Sequence, residues 1–275
     1  MNKRIDTVLL VLLSLVLAWV CDAGAQTAGL GLDPGRLEVE MKPGQEKTIA
    51  FTIDSPPSEI PVRGRLLLSL TDWDVNQDTS ISYTDPGTMK NSASPWVVFS
   101  PSAVSISSGQ KQLVRVTVRA PQQTAAGVYR TAIFVQERPP AVPPQSGEQL
   151  LYIRFRYVFF LYIVIPPVSF EPALTDLRLV PGGDGLRIVC DLANHGSRHV
   201  RPLITVSIRN SHNDEIKLVR NYEGTVLLPF STIREGFHLK DGLAPDVYEI
   251  SAQVDFQDNG PLQAMHRTVD LSSAN

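Results

Sequence analysis

Cysteine is almost missing from this 275-residue sequence, which holds only Cys21 and Cys190. Cys21 falls in an N-terminal segment that reads as a signal peptide. The exported chain then keeps one cysteine, which excludes an internal disulfide and leaves stability to apolar cores of ordinary size. A large charge of either sign is missing too: the formal net charge is −3. That argues against a nucleic-acid partner, whose phosphates call for a basic surface. No Gly-x-Ser-x-Gly turn presents a nucleophile. "PGGDG" at 181–185 leads into another strand rather than a helix, so it offers no phosphate cradle. Helical periodicity is scarce beyond the first segment.

The N-terminus carries Lys3 and Arg4 ahead of "VLLVLLSLVLAWV", and "AGA" at 23–25 supplies small residues before a cut at Gln26. Residues 1–25 are therefore predicted to be a cleaved signal peptide, and the mature chain to be exported. An uncleaved anchor is the competing reading, but the apolar run is shorter than the ~20 residues a spanning helix needs. Val20 before Cys21 speaks against a lipoprotein.

What recurs instead is short alternating runs between turn residues: "RLEVEM", "KTIAFTI", "GRLLLSL", "SISY", "AVSIS", "QLVRVTVRA" and "YRTAIFVQE". Such runs predict an all-β chain of sandwich type. "KPGQ" at 42–45 and "SSGQ" at 107–110 supply turn chemistry. A second series, from "TDLRLV" through "GLRIVCDLAN", "RPLITVSIRN", "IKLVRN", "GTVLLP", "STIREGFHL" and "DVYEISAQVDF" to "HRTVDL", suffices for another sandwich. Prolines 166, 167 and 172 mark the boundary. The predicted organisation is a signal peptide over 1–25, one β-sandwich domain over 28–166 and a second over 174–272. The Pro-rich segment 138–149 is predicted to be a mobile or extended loop.

Candidate chemistry is thin. Asp74, Asn76, Asp78, Ser80, Ser82 and Asp85 have the spacing of a calcium loop. Thr79 stands where that loop needs glycine, and Asp85 where it needs glutamate. A polar turn between two strands is the expectation, with Trp73 anchoring a core. His195 and His199 have i, i+4 spacing, but a β-rich segment gives them no helix face to share, so surface or turn positions are expected. Cys190 in "RIVCDL" reads as a small core residue. No metal and no cofactor are predicted, and no enzyme signature is present.

The segment 150–166, "LLYIRFRYVFFLYIVIP", is apolar yet carries Arg154 and Arg156 and ends at a proline pair. It is too short and too charged to span a membrane. Its second half, 158–165, is apolar on both parities and is predicted to be core.

Four stretches together resemble the periplasmic chaperones of the chaperone–usher pilus pathway. They are "LGLDPGRLEVEMKPGQ" at 30–45; "DWDVNQDTSISY" followed by "SASPWVVFSPSAVSISSGQKQLVRVTV"; "GVYRTAIFVQERPP" at 127–140; and the loop and long apolar strand that follow. The resemblance covers residues 30–167. Over 174–272 the sequence is immunoglobulin-like only.

The resemblance implies two immunoglobulin-like domains that hold pilin-like subunits and pass them to an outer-membrane usher, without membrane insertion of the mature chain. It implies a strand lent to the subunit by β-augmentation. Leu151, Ile153, Phe155 and Tyr157 would fill the subunit groove. It further implies two basic groups that grip the subunit's terminal carboxylate. Arg36 matches the first by its place in "LDPGR". The second is a lysine in the family, and its position falls near Phe160 here, so Arg156 or Arg154 is the expected substitute. An exported envelope or surface protein with two such domains serving adhesion or structure is the alternative, and an undetected hydrolase or metal module ranks last.

Overall fold

The computed structural model describes residues 29–57, 64–137, 155–183, 185–239, 242–257 and 260–272. The predicted signal peptide, the loop 138–149 and the candidates Leu151, Ile153 and Arg154 lie outside them. The described chain is all-β apart from a single 3-10 turn at Ser94–Trp96, and forms two β-sandwiches.

The first sandwich contains β1 (Gly31–Asp33), β2 (Arg36–Glu40), β3 (Glu46–Asp54), β4 (Gly64–Val75), β5 (Ile81–Thr84), β6 (Val97–Ser100), β7 (Ala103–Ile106), β8 (Lys111–Arg119), β9 (Gly127–Glu137) and β10 (Arg156–Ile165). One sheet has the order β1-β3-β8-β6. The other runs β2-β10-β9-β4-β5, with β7 also on β4. The N-terminal strand thus changes sheet between β1 and β2. Alternation decides what goes inside: in β8, Val114, Val116 and Val118 are fully buried while Arg115 and Arg119 are exposed. Leu113 is 46% exposed despite its apolar side chain. The turns on either side of this sheet use glycine at positive φ, 75° at Gly44 and 79° at Gly109.

The second sandwich contains β11 (Pro172–Gly182), β12 (Gly185–Asn194), β13 (Leu203–Asn210), β14 (Ile216–Glu223), β15 (Thr232–Leu239), β16 (Val247–Asp255) and β17 (Gln263–Asp270). Its sheets have the orders β11-β12-β15 and β14-β13-β16-β17. "GTVLLP", expected as a strand, makes only one bridge, between Val200 and Leu227. Cys190 sits buried in this core, and burial, helped by the nearby Glu235 and Asp191 carboxylates, pushes its thiol up to about 12. It stays a neutral core side chain.

β10 is apolar on both parities because it faces two cores. Phe159, Leu161, Ile163 and Ile165 point into the first sandwich, where Phe159 stacks on Phe51 at 4.2 Å. Tyr162 and Val164 join Trp73 and Val75 in a cluster continuous with the second sandwich. The same logic explains "RLEVE" in β2: Leu37 and Val39 pack inward, while Arg36 and Glu38 pair across the sheet with Phe160 and Tyr162 on the face toward the second domain.

Candidate functional site: the cleft between the sandwiches and the edge of β10

Polar contacts fix how the sandwiches meet. Glu38 of β2 accepts from His199 Nε2 at 3.1 Å and from Arg198 at 3.2 Å. His199 stacks on Tyr162 with ring centroids 4.2 Å apart, and Tyr162 Oη accepts from Arg201 at 2.7 Å. On the far side the Arg234 N–H donates to the Gln77 carbonyl at 2.7 Å. His199, expected at a surface or turn, is therefore buried at 7%. It serves as a bridge between domains, whereas His195 is exposed.

The hydrogen bond from His199 is the largest influence on Glu38. It outweighs burial and, with the charges of His199, Arg198 and Arg201, holds the carboxyl below its ordinary value of 4.5. A depressed carboxylate contributes stability that is complete above its unfolded value and is lost as pH falls through the folded one. Glu38→Gln is thus expected to flatten the acid limb of stability below about pH 4.5. Denaturant unfolding at a series of pH values checks this, and parallel acid limbs for both proteins would refute it. Burial pushes the Tyr162 phenol in the same cluster up to about 12, against the opposing pull of Arg201, Arg130 and Arg36. It remains neutral and able to donate.

Beside this bridge lies a cleft cavity of about 590 Å³, lined by Arg36, Trp73, Ile81, Val158, Phe160 and Val226 among others. Trp73 forms its floor, 4.8 Å from Phe160 and 5.6 Å from Tyr162 between ring centroids. The guanidiniums at its margin are Arg36 from the first domain and Arg201 from the second. Arg36 ion-pairs with Glu223 at 2.9 Å, and Arg201 approaches the same carboxylate oxygen at 3.9 Å.

Arg156 is elsewhere. Its Nε donates to Gln136 at 3.1 Å, and its guanidinium lies 4.3 Å from the Phe134 ring centroid. Phe160, not Arg156, stands opposite Arg36. Four residues of strand separate Arg156 from that position, about 13 Å. The structure does not bring Arg36 and Arg156 together. It brings Arg201 to Arg36 instead, a residue that lies beyond the stretch on which the sequence resemblance rests.

The edge of β10 is half covered. β2 pairs in parallel with it from Phe160 to Val164, and the Phe160 N–H donates to the Gly35 carbonyl. Hydrogen-bonding direction alternates along a strand. The N–H and C=O groups of Val158 and Arg156 therefore point to that same edge, where no strand pairs with them among the described residues. Phe155, just ahead, is 55% exposed. Tyr157 is half-buried against its own sandwich, and its hydroxyl accepts from the Leu30 N–H at 2.8 Å.

The calcium-like segment forms the hairpin between β4 and β5, with Val75 opposite Ile81. Asp74 is engaged by the buried Arg130 at 2.8 Å. Asp78 bonds Ser80, and Thr79 takes the left-handed turn conformation at φ 69°. Trp73 is 1% exposed, a core anchor as expected.

No family model matches this chain, and no curated protein matches its sequence. Over most of its length the chain matches the structures of chaperone–usher pilus chaperones. A chain of the CsuC–CsuE chaperone–tip adhesion subunit complex from archaic Csu pili of Acinetobacter baumannii is 14% identical. Its TM-score is 0.46, over 87% of this chain and 98% of that one. The class 5 fimbriae chaperone CfaA is 11% identical with a TM-score of 0.43, over 87% and 98%. The Pseudomonas aeruginosa chaperone CupB2 is 10% identical with a TM-score of 0.41, over 87% and 100%. A family 123 glycoside hydrolase from Clostridium perfringens is matched over 48% of this chain and 22% of its own. With TM-scores below 0.5, the functional reading rests on the cleft and the strand edge.

Proposed function

We propose that this protein is a periplasmic chaperone that captures pilin-like subunits by lending them the start of its long strand, and hands them to an outer-membrane usher. It works without catalysis, metal or cofactor. The half-covered edge of β10 carries the reading: among the described residues no strand pairs with the backbone groups that Arg156 and Val158 turn to that edge, next to an exposed phenylalanine. Open edges of this kind are templates for a foreign strand.

An incoming strand aligned with β2 would run parallel to β10 and end at Arg36, whose guanidinium meets its terminal carboxylate. Phe155, with Leu151 and Ile153 before it, would enter the subunit's groove, and Tyr157 would mark the passage from lent strand to home core. Burying three or four such side chains contributes several kcal/mol at ~25 cal/mol per Å² before ordering costs. Arg156, off the cleft, would line the lent strand rather than close on Arg36.

Co-expression with candidate pilin-like subunits and affinity capture tests this. A one-to-one complex, and subunits that degrade in its absence, are expected. Arg36→Ala is expected to lower recovery of the complex about tenfold through the lost charge-assisted contact. Subunits equally stable with and without this protein, and no complex, would overturn the proposal.

A further inference from the structure

The seat for a carboxylate at Arg36 is already taken. Glu223 ends β14 at the pole of the second sandwich, and its Oε1 lies 2.9 Å from Arg36 and 3.9 Å from Arg201. Resting on the strand-lending reading, we infer that Glu223 is an internal stand-in for the partner's terminal carboxylate, and that Arg201 is the second cation of the seat.

Arg201 is fixed. Its other terminal nitrogen donates to Tyr162 Oη at 2.7 Å, its guanidinium lies 5.5 Å from that ring, and Tyr162 itself is buried and stacked on His199. Arg36 is the freer half of the pair, with 52% of its side chain exposed. The other nearby acid, Glu38, is committed to His199 and Arg198. Glu223 is thus the carboxylate that balances Arg36 and Arg201 among the described residues.

Its side chain is 44% exposed on an edge strand. An exposed ion pair is weak and exchangeable. A ligand carboxylate attached to an apolar residue has more to gain. It would take the same two guanidiniums while its side chain fills the cavity walled by Trp73, Val158 and Phe160. Displacement of Glu223 also cuts the Arg36–Glu223 tie between the domains, so capture and release of the partner would be coupled to that contact.

The test uses the full mature chain and a synthetic peptide of about ten residues, alternating in apolar side chains to suit the β10 edge. The peptide is made with a free C-terminal carboxylate and as the C-terminal amide, and binding is measured by calorimetry. Glu223→Gln removes the competitor and keeps the shape. It is expected to tighten the carboxylate peptide about tenfold and leave the amide unchanged. Arg201→Gln is expected to erase most of the preference for carboxylate over amide, and its thermal unfolding reports whether it is folded.

If the wild type prefers the carboxylate but Glu223→Gln gives no gain and Arg201→Gln keeps the preference, the inference fails and strand capture at Arg36 stands. If both peptides bind equally to every variant, the seat is not a carboxylate site and the inference fails, with edge pairing intact. If neither peptide binds any variant, the strand-lending reading falls and the inference with it.

Discussion

Val158→Pro is expected to fold like the parent chain and to capture a strand-lacking subunit about a hundredfold more weakly. Residue 158 presents its N–H to the open edge and not to β9, so among the described residues proline removes no hydrogen bond within the sandwich. Proline is tolerated on edges for this reason. In the complex the same change deletes one hydrogen bond to the incoming strand, and the ring crowds its backbone. Affinity should fall while the unfolding midpoint moves little. Phe160→Pro is the informative contrast, because that N–H already bonds Gly35, and there stability should suffer as well. Size-exclusion recovery of complex, beside denaturant unfolding of the free variants, separates the two effects. Undiminished capture by Val158→Pro would mean that the partner does not pair with this edge.

Phe159→Ala is expected to cost the first sandwich about 3–5 kcal/mol. The side chain is fully buried and stacked on Phe51 at 4.2 Å across the two sheets. Its loss leaves a cavity that neighbouring β-branched residues cannot close. Trp73 and Trp96 both lie in that sandwich, so tryptophan fluorescence in urea reports its unfolding directly. A shift below about 1 kcal/mol would show that the sheets collapse onto the gap.

Much of the fold could be read from period alone. The run "QLVRVTVRA" marks β8, and "TDLRLV" through "HRTVDL" marks most strands of the second sandwich, because one wet face and one dry face leave an alternating record. The both-sided apolar half of "LLYIRFRYVFFLYIVIP" was legible as core. That it serves two cores was not, since alternation says that a face is buried and not by what.

The site was less legible. Arg36 stood out through "LDPGR". Its partner Arg201 did not, because nothing local to "HVRPL" distinguishes an arginine at a domain cleft from one in solvent. The separation of Arg156 from Arg36 depends on the register that sets Phe160 opposite Arg36, which composition does not encode. His199 misleads for a similar reason. Its burial is made by Glu38 and Tyr162 in the other domain, more than a hundred positions back for Glu38 and in a separate sheet.

Amide hydrogen exchange along β10 tests the central claim most directly. In the free protein the Arg156 and Val158 amides should exchange fast, while Tyr157 and Phe159, turned toward β9, exchange slowly. In a purified complex with a pilin-like subunit, Arg156 and Val158 should slow by about tenfold or more. A formed complex in which those two amides exchange as fast as in the free chain would contradict strand lending at this edge.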